Sequence, residues 1–308
     1  MKQNFSLVLG DSERTLGSIT ESEIASQPEM WERVTRDAAV LARPLPGLGE
    51  RVAVVGCGTS WFVAQAYAGL REQLGGETDA FTPADLPASR NYDRLIAITR
   101  SGTTTEIMEL LERVRGTIPT VAVVGASAGA LPANEVIDLS FADERSVVQT
   151  RFATTAFALL RSSIGIGLGS AVEEARSVLE AEVGPLLGFR QYTFLGLGWT
   201  VGLAHEAALK LREAAQLWSD SYPALEYRHG PIALADPSTV VIPFGPMPPG
   251  LAKQILSTGA RLVSSDLDPM AVLVLAHRIA LASARGKGLD ADRPRNLSRS
   301  VVLAANGC

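Results

Sequence analysis

Two segments of this chain repeat one pattern at a nearly constant distance. "RVAVVGCGTS" (residues 51–60) and "QYTFLGLGWT" (residues 191–200) align without a gap at an offset of 140. In each, an apolar run leads into Gly-x-Gly and then into a helical pattern that contains Leu-Arg-Glu (residues 70–72 and 211–213). A strand, a glycine turn and a helix repeated in this way predict two related α/β units.

Further short apolar runs, separated by segments of helix length, predict the rest of the architecture. They are "RLIAIT" (94–99), "TVAVVG" (120–125) and "EVIDLSF" (135–141) in the first half, and "TVVIPFG" (239–245) in the second. Near-continuous β-branched runs are typical of parallel strands that are buried on both faces. We therefore predict an α/β fold of two duplicated, doubly wound parallel-sheet domains.

The same patterns predict where each domain begins and ends. We expect an N-terminal helical segment at 1–45, a first domain at 46–168, a helical linker at 169–186, and a second domain with a C-terminal tail at 187–308. The segment "TESEIASQPEMWERVTRDAAVLA" predicts one helix, the linker helix is expected to end at Gly-Pro, and a last helix is expected at about 270–285.

Composition excludes several classes of function. The chain has 308 residues and a formal net charge of -5 with no basic block, so a nucleic-acid partner is not expected. No apolar run is long enough for a membrane span, and the first residues do not resemble a secretion signal. Two cysteines and three histidines show no metal-ligand spacing, so we expect no metal, no cofactor and a cytoplasmic protein.

Hydroxyl side chains cluster after the second predicted strand, in "TRSGTTTE". The N–H groups and the dipole of a helix N-terminus attract an anion, and Thr99, Ser101 and Thr104 would add donors around it. A capping box with Thr103 as N-cap and Glu106 is the alternative, but it accounts for only two of these residues. "PFGPMPPG" follows the equivalent strand of the second half and has no hydroxyl, so only the first half is expected to hold a phosphate.

The segment "HEAALKLREAA" (205–215) carries Glu206, Lys210 and Glu213 on one side of a predicted helix. An ordinary solvated face with a Glu–Lys pair explains this spacing. The floor of an active site is the other interpretation. It is favoured because the charged helix and "YRHGPIAL" lie in one half and the anion loop lies in the other, which suggests one composite site.

Five segments together resemble a known family: "CGTS", "SGTT", "EAALKLRE", "YPALEYRHGPIAL" and "DRPRNLSRSV". They are similar to the sugar isomerase (SIS) domain pair, which forms the isomerase half of glucosamine-6-phosphate synthase (glutamine–fructose-6-phosphate aminotransferase) and its stand-alone amino-sugar-phosphate deaminase/isomerase relatives. The resemblance extends from "SEIASQP" to "SRSVVL", which is nearly the whole chain.

The resemblance implies roles for individual residues. Sugar-phosphate binding is implied for Gly58, Thr59, Ser60, Thr99, Arg100, Ser101, Gly102, Thr104, Val147 and Arg299. Glu213 matches the base that forms the enediol, with Lys210 and Glu206 as supporting charges. His229 matches the histidine that opens the sugar ring, which the family takes from the neighbouring subunit, so the resemblance implies a homodimer with a shared active site.

One departure from the family pattern changes the expected reaction. The synthase has a lysine that forms a Schiff base with the keto sugar, and "RNLSRS" places Arg299 there. A guanidinium stays protonated and cannot form the imine. No glutaminase domain is expected before about residue 20, so glutamine-dependent aminotransferase activity is not expected.

The leading expectation is therefore an enzyme: a glucosamine-6-phosphate or galactosamine-6-phosphate deaminase/ketose–aldose isomerase that acts through an enediol or enolamine. Its small-molecule partner would be a sugar phosphate. Three alternatives stay open at this point: a simple phosphosugar aldose–ketose isomerase, a deglycase of a sugar–amino acid 6-phosphate, and a non-catalytic sugar-phosphate sensor. The sequence does not select the epimer, which depends on a few hydroxyl contacts.

Overall fold

The computed structural model describes residues 15–126, 129 and 131–303. Its helices are α1 (Ser18–Ala25), α2 (Gln27–Leu41), α3 (Thr59–Gln73), α4 (Thr105–Val114), α5 (Arg151–Ser163), α6 (Ala171–Glu180), α7 (Thr200–Ala215), α8 (Leu251–Ser257) and α9 (Pro269–Gly286). Its strands are β1 (Val52–Gly56), β2 (Thr78–Phe81), β3 (Arg94–Thr99), β4 (Thr120–Val124), β5 (Glu135–Asp138), β6 (Gln191–Gly196), β7 (Trp218–Pro223), β8 (Thr239–Phe244) and β9 (Arg261–Leu262).

The strands form two parallel sheets. The first has the order β2-β1-β3-β4-β5 and the second has the order β7-β6-β8-β9. In each sheet the chain leaves its first central strand toward one edge and later returns to the other side, so β1/β3 and β6/β8 are topological switch points. The prediction of an α/β fold with parallel sheets is confirmed.

One hydrophobic core joins the two sheets. It includes Val54 and Ile96 of the first sheet and Phe194 and Ile242 of the second, together with side chains of α3, α5, α7 and α9. The remaining face of the first sheet packs against α4, and the remaining face of the second packs against α8. Each sheet is therefore covered on both faces, as its apolar strands require.

The helices α3 and α7 cross antiparallel within this core, and glycines let their backbones meet. A Cβ on Gly202 of α7 would lie 2.5 Å from the carbonyl oxygen of Phe62, and a Cβ on Gly69 of α3 would lie 2.9 Å from Cα of Trp199. Neither position can hold a larger side chain without separating the helices. This contact fixes how the first half of the chain is placed against the second.

Two helix predictions need correction. The N-terminal segment forms two helices, because α1 ends before Ser26 and α2 begins at Gln27 with Pro28 in its first turn, where a missing N–H is tolerated. The linker helix ends at Glu180, and Gly184–Leu186 forms a short 3-10 turn. Residues 1–14 of the predicted N-terminal segment, and residues 304–308 of the tail, lie outside the described residues. Within the described part of the chain, no helix is long and apolar enough to cross a membrane.

Candidate functional site

A small cavity of about 30 Å³ lies at the carboxyl ends of β1 and β3. Its lining residues are Cys57, Ser60, Ile98, Thr99, Arg100, Ser101, Thr104, Ile107, Gln149 and Arg299. Six of the residues predicted to bind the sugar phosphate thus line one cavity: Ser60, Thr99, Arg100, Ser101, Thr104 and Arg299. The structure places the other four, Gly58, Thr59, Gly102 and Val147, outside that lining.

The segment "TRSGTT" (99–104), called the hydroxyl loop below, is held by hydrogen bonds of its own side chains. Oγ1 of Thr99 accepts the N–H of Gly102 at 3.2 Å, and Oγ of Ser101 accepts the N–H of Thr103 at 3.2 Å. Helix α4 has Thr104 as its N-cap, and the Thr104 side chain makes no capping bond. The capping box expected as the alternative for this segment is therefore wrong.

The C-terminal tail lies over this loop. The hydroxyl of Ser300 is 3.0 Å from Oγ of Ser101 and 2.9 Å from Oγ1 of Thr103. The backbone continues the contact, since the N–H of Thr105 donates to the carbonyl of Val301 at 3.2 Å. Sequence reasoning did not single out Ser300, although it stands beside Arg299 in "RNLSRS".

Arg100 holds two neighbouring segments in place. Its Nη1 donates to the carbonyls of Ser146 at 2.9 Å and Val147 at 3.2 Å, and its Nη2 donates to the carbonyl of Arg299 at 2.7 Å. Burial lowers the pKa of its guanidinium from the ordinary value, although Glu144 opposes this effect. Arg100 therefore brings positive charge to the cavity while its terminal nitrogens bind backbone.

Arg299 is held in the same manner. Its Nε donates to the carbonyl of Glu144 at 2.9 Å, and its Nη2 binds the Asp143 carboxylate. The guanidinium of Arg299 thus binds the C-terminal tail to the loop that precedes α5. Asp143 was not predicted as a site residue, and no local pattern in the sequence connects it with Arg299.

The three charges predicted on α7 form one buried cluster. Nζ of Lys210 donates to Oγ1 of Thr59 at 2.9 Å, binds the Glu213 carboxylate, and lies 3.5 Å from Oε1 of Glu206. The side chains of Glu206 and Lys210 are each 1% exposed, whereas that of Glu213 is 19% exposed. The interpretation of this face as solvated is therefore wrong, and only Glu213 can be reached from outside.

The cluster has unusual electrostatics. Burial raises the pKa of Glu206 to about 8, and the charge of Lys210 offsets only part of that effect. Burial also pushes the pKa of Lys210 down, but Glu206 and Glu213 outweigh this and leave it above its ordinary value. A lysine that stays charged beside Glu213 can stabilise negative charge that develops there.

Two consecutive residues connect the cavity with the cluster. Ser60 lines the cavity, and Thr59 accepts the hydrogen bond from Lys210. Both belong to the first turn of α3, which begins directly after the Gly58 turn at φ +54°. The hydroxyl loop of the first half and the charged helix of the second therefore meet at one helical turn.

His229 is not part of this arrangement in the single chain. It is an exposed residue at the end of the 3-10 turn Glu226–His229 that follows β7, and its side chain makes no hydrogen bond to any residue in the described ranges. If it serves the site, it must do so in another copy of the chain.

Two further polar side chains near the site were not predicted. Gln149 lines the cavity with its Oε1 buried, and His277 of α9 is buried with both ring nitrogens lacking a hydrogen-bond partner among the described residues. Burial and the charge of Lys210 lower the pKa of His277 to about 3, so its imidazole is neutral. Gln149 stands two residues after the predicted contact residue Val147, whereas His277 stands in no motif. Among the described residues, no group of three or more His, Cys, Asp or Glu side chains could hold a metal ion.

Known proteins share sequence with most of this chain. No protein-family model matches it. The glutamine–fructose-6-phosphate aminotransferase [isomerizing] of Sulfolobus acidocaldarius is 27% identical over 300 residues, covering 82% of this chain and 50% of that protein. The protein of the same name from Thermus thermophilus is 28% identical over 324 residues, covering 82% and 52%. The chain thus spans about half the length of the curated relatives it matches.

Solved structures share the fold. Glucosamine-6-phosphate deaminase from Thermotoga maritima superposes with a TM-score of 0.76 at 22% identity, covering 93% of this chain and 100% of that one. Tagatose-6-phosphate ketose/aldose isomerase from Escherichia coli gives a TM-score of 0.75 at 20% identity, covering 94% and 98%. The C-terminal domain of glucosamine-fructose-6-phosphate aminotransferase from Francisella tularensis gives 0.70 at 20% identity, covering 92% and 100%. This chain is therefore similar in sequence to the isomerizing aminotransferases and in fold to these phosphosugar isomerases and deaminase, in agreement with the resemblance to the sugar isomerase (SIS) domain family.

Proposed function

We propose that this chain is a sugar-phosphate enzyme, and specifically a glucosamine-6-phosphate or galactosamine-6-phosphate deaminase/isomerase. One observation carries the proposal. Ser60 lines the small cavity at the carboxyl ends of β1 and β3, and Thr59 accepts a hydrogen bond from Lys210, whose ammonium binds the Glu213 carboxylate. An anchor for an anion and an acid–base group are therefore joined within one turn of α3.

The phosphate would be held by the hydroxyl loop. Ser60, Thr99, Ser101 and Thr104 supply hydroxyl donors, and Arg100 supplies charge in the same cavity. The cavity also lies at the first-sheet switch point, where ligands of α/β proteins collect. The names of the similar proteins, which include fructose-6-phosphate and glucosamine-6-phosphate enzymes, support a hexose or hexosamine phosphate.

Glu213 would move the proton. Its carboxylate removes the C2 hydrogen of the open-chain sugar as a proton and returns it to C1, while the bond electrons pass through an enolamine. Lys210 binds the Glu213 carboxylate and stabilises the negative charge that develops on the sugar oxygen. Glu206 is too deeply buried to touch the sugar and would act by fixing Lys210.

The substrate would bring its own amine. Arg299 is bound to Asp143 and cannot form an imine with a keto sugar. An aldose that carries an amine at C2 isomerises to the C2 ketimine without any protein imine. Addition of water then gives the ketose phosphate and ammonia, which balances the reaction.

His229 would open the sugar ring from a second copy of the chain. The ring oxygen must gain a proton while the anomeric hydroxyl loses one, and an imidazole can perform both transfers. The exposed position of His229 in the single chain fits a residue that serves a partner's site. We therefore propose a homodimer with shared active sites.

We also propose that the two sheets arose by duplication. The strand order β7-β6-β8-β9 repeats β2-β1-β3-β4, and the aligned glycine turns follow β1 and β6. On this proposal the first SIS domain (46–168) binds the phosphate and the second (187–308) supplies the acid–base groups, with residues 1–45 and 169–186 as helical additions.

The test is to incubate the purified chain with each hexosamine 6-phosphate and to measure ammonia and ketose phosphate. We expect both products in equal amounts. Glu213→Gln should lower turnover by roughly 10²–10⁴-fold, the usual contribution of a general base. Glu109→Gln on the exposed side of α4 is the matched control and should leave turnover unchanged.

Three outcomes would contradict the proposal. Interconversion of plain aldose and ketose phosphates without ammonia release would indicate a simple isomerase. Release of an amino acid from a 6-phosphorylated sugar adduct, with no action on hexosamine phosphates, would indicate a deglycase. Binding of sugar phosphates with no turnover of any of them would indicate a sensor.

A further inference from the structure

A second and larger cavity lies at the carboxyl edge of the other sheet. Its volume is about 530 Å³, within the range of roughly 300–1,000 Å³ that small-molecule sites occupy. It is bordered by Leu197, which follows β6, and Gly245, which follows β8. This is the topological switch point of the second sheet, where ligands of α/β proteins collect. The function proposed above uses only the equivalent point of the first sheet.

One wall of this cavity is apolar and rigid. Leu197 is 42% exposed there and contributes apolar surface to the cavity. Trp199 also lines the cavity and stacks on Phe157, with ring centroids 5.6 Å apart and an angle of 26° between the ring planes. The Arg161 guanidinium also lies over this indole, 6.0 Å from the ring centroid, so its neighbours hold the indole in one orientation beside the cavity.

The other wall carries uncompensated negative charge. Of its three carboxylates, only Asp268 is neutralised, by Arg161 at 2.7 Å. Glu174 accepts the hydroxyl of Ser170 and the N–H of Asp268, with no cation at ion-pair distance in the described ranges. Asp266 is exposed and has neither a hydrogen bond nor an ion pair among the described residues.

The cavity is unsuited to a phosphate. No lysine, arginine or histidine lines it. The hydroxyl of Thr200 is already used by the backbone, because it lies 2.9 Å from the Phe244 carbonyl and accepts the N–H of Leu197 at 2.8 Å. This lining differs from that of the first cavity, which combines two arginines with several hydroxyl side chains.

The two cavities lie at opposite ends of the crossed helices α3 and α7. Trp199 stands directly before α7, and Lys210 follows eleven residues later, which is roughly 16 Å along a helix that rises 1.5 Å per residue. A ligand in the second cavity therefore does not touch the acid–base cluster.

We propose that the second cavity binds a small ring compound that carries a protonated amine and no phosphate. Its ring packs on Trp199, and its ammonium lies between Glu174 and Asp266. The charge of the cavity attracts a cation and rejects a sugar phosphate, so the two sites of one chain select ligands of opposite charge.

The test measures binding of glucosamine, glucose and glucose 6-phosphate to the full chain by calorimetry, with inorganic phosphate present to occupy the first cavity. The pH is kept slightly acidic so that the glucosamine amine is protonated. We expect glucosamine to bind at least tenfold more tightly than glucose, and glucose 6-phosphate not to displace it. Asp266→Lys, a change at an exposed side chain, should weaken glucosamine binding tenfold or more. Glu109→Lys, the same change on α4, should not alter it.

Equal affinities for glucosamine and glucose would overturn the proposal, because charge would then not select the ligand. Unchanged binding in Asp266→Lys would also overturn it, as would no glucosamine binding at millimolar concentration. Loss of glucosamine binding in Ser101→Ala would place the amine in the first cavity instead. None of these results bears on turnover of hexosamine phosphates, so this proposal and the proposed function can fail separately.

Discussion

The substitution Gly202→Ala tests the close contact between α3 and α7, on which the composite site depends. A Cβ at this position would lie 2.5 Å from the carbonyl oxygen of Phe62 and 2.6 Å from the backbone nitrogen of Ala66. Both are backbone atoms of α3, so neither can rotate away. Ordinary contact begins at 3.4 Å, and Gly202→Ala must therefore push the helices apart by about 0.9 Å.

The cost follows from two opposing effects. Overpacking a well-packed core typically costs about 1–3 kcal/mol, while alanine is favoured over glycine in a helix by about 1 kcal/mol. We expect Gly202→Ala to lower the free energy of unfolding by up to about 2 kcal/mol. The same displacement would stretch the 2.9 Å bond from Lys210 to Thr59 past hydrogen-bonding distance, so turnover should fall by about tenfold as well.

Denaturant unfolding followed by circular dichroism measures the first effect, and ammonia release measures the second. The matched control is Gly286→Ala at the end of α9, where a Cβ meets nothing within 4 Å. The control should be neutral or slightly stabilising. If Gly202→Ala were as stable and as active as Gly286→Ala, the close crossing of α3 and α7 would be refuted.

Three other changes test separate parts of the site. Burial raises the pKa of Glu206 to about 8 from 4.5, so between these values the folded chain keeps a proton that the unfolded chain releases. Stability should therefore fall as pH rises through that window, by about 1.4 kcal/mol per pH unit. Glu206→Gln should flatten this slope in denaturant titrations at several pH values, and an unchanged slope would show that another group causes it. Ser300→Ala removes the hydroxyl contacts with Ser101 and Thr103 but leaves the Arg299 bonds and the Thr105–Val301 backbone bond, so the tail should stay in place while sugar phosphate binds a fewfold more tightly. An unchanged Kd would mean that the Ser300 hydroxyl does not compete with the ligand. Arg299→Lys should form an imine with fructose 6-phosphate that borohydride reduces to a covalent adduct, detected by intact mass. The unaltered chain should give no adduct. The absence of an adduct in the variant would show that the arginine is not what prevents the imine.

The central strands were predictable because burial on both faces leaves a continuous apolar run. Val52–Gly56 and Thr120–Val124 are buried at every position, and both were predicted. The edge strands Thr78–Phe81 and Trp218–Pro223 were not, since one side of each is partly exposed and their sequences mix polar and apolar residues. A strand pattern depends on what covers the strand, which a local sequence does not contain.

The hydroxyl loop was predictable as well, because its residues are neighbours in the chain. The burial of Glu206 and Lys210 was not predictable from the sequence. The face of α7 that carries them is covered by α3 and α9, and both helices are distant in sequence. The contact of Ser300 with Ser101 joins residues 199 positions apart. Such long-range contacts require the fold, and only the family resemblance pointed toward them.

The turn that carries Thr59 and Ser60 has a consequence for substrate size. One residue contacts the acid–base cluster and the next borders the anion cavity, so the separation between the two is set by a single peptide unit, which does not stretch. The turn therefore keeps the distance between the anion cavity and the acid–base cluster constant. On the proposed function, a sugar phosphate must span this length from its ester to its reacting carbon, so we expect triose phosphates to be too short to react.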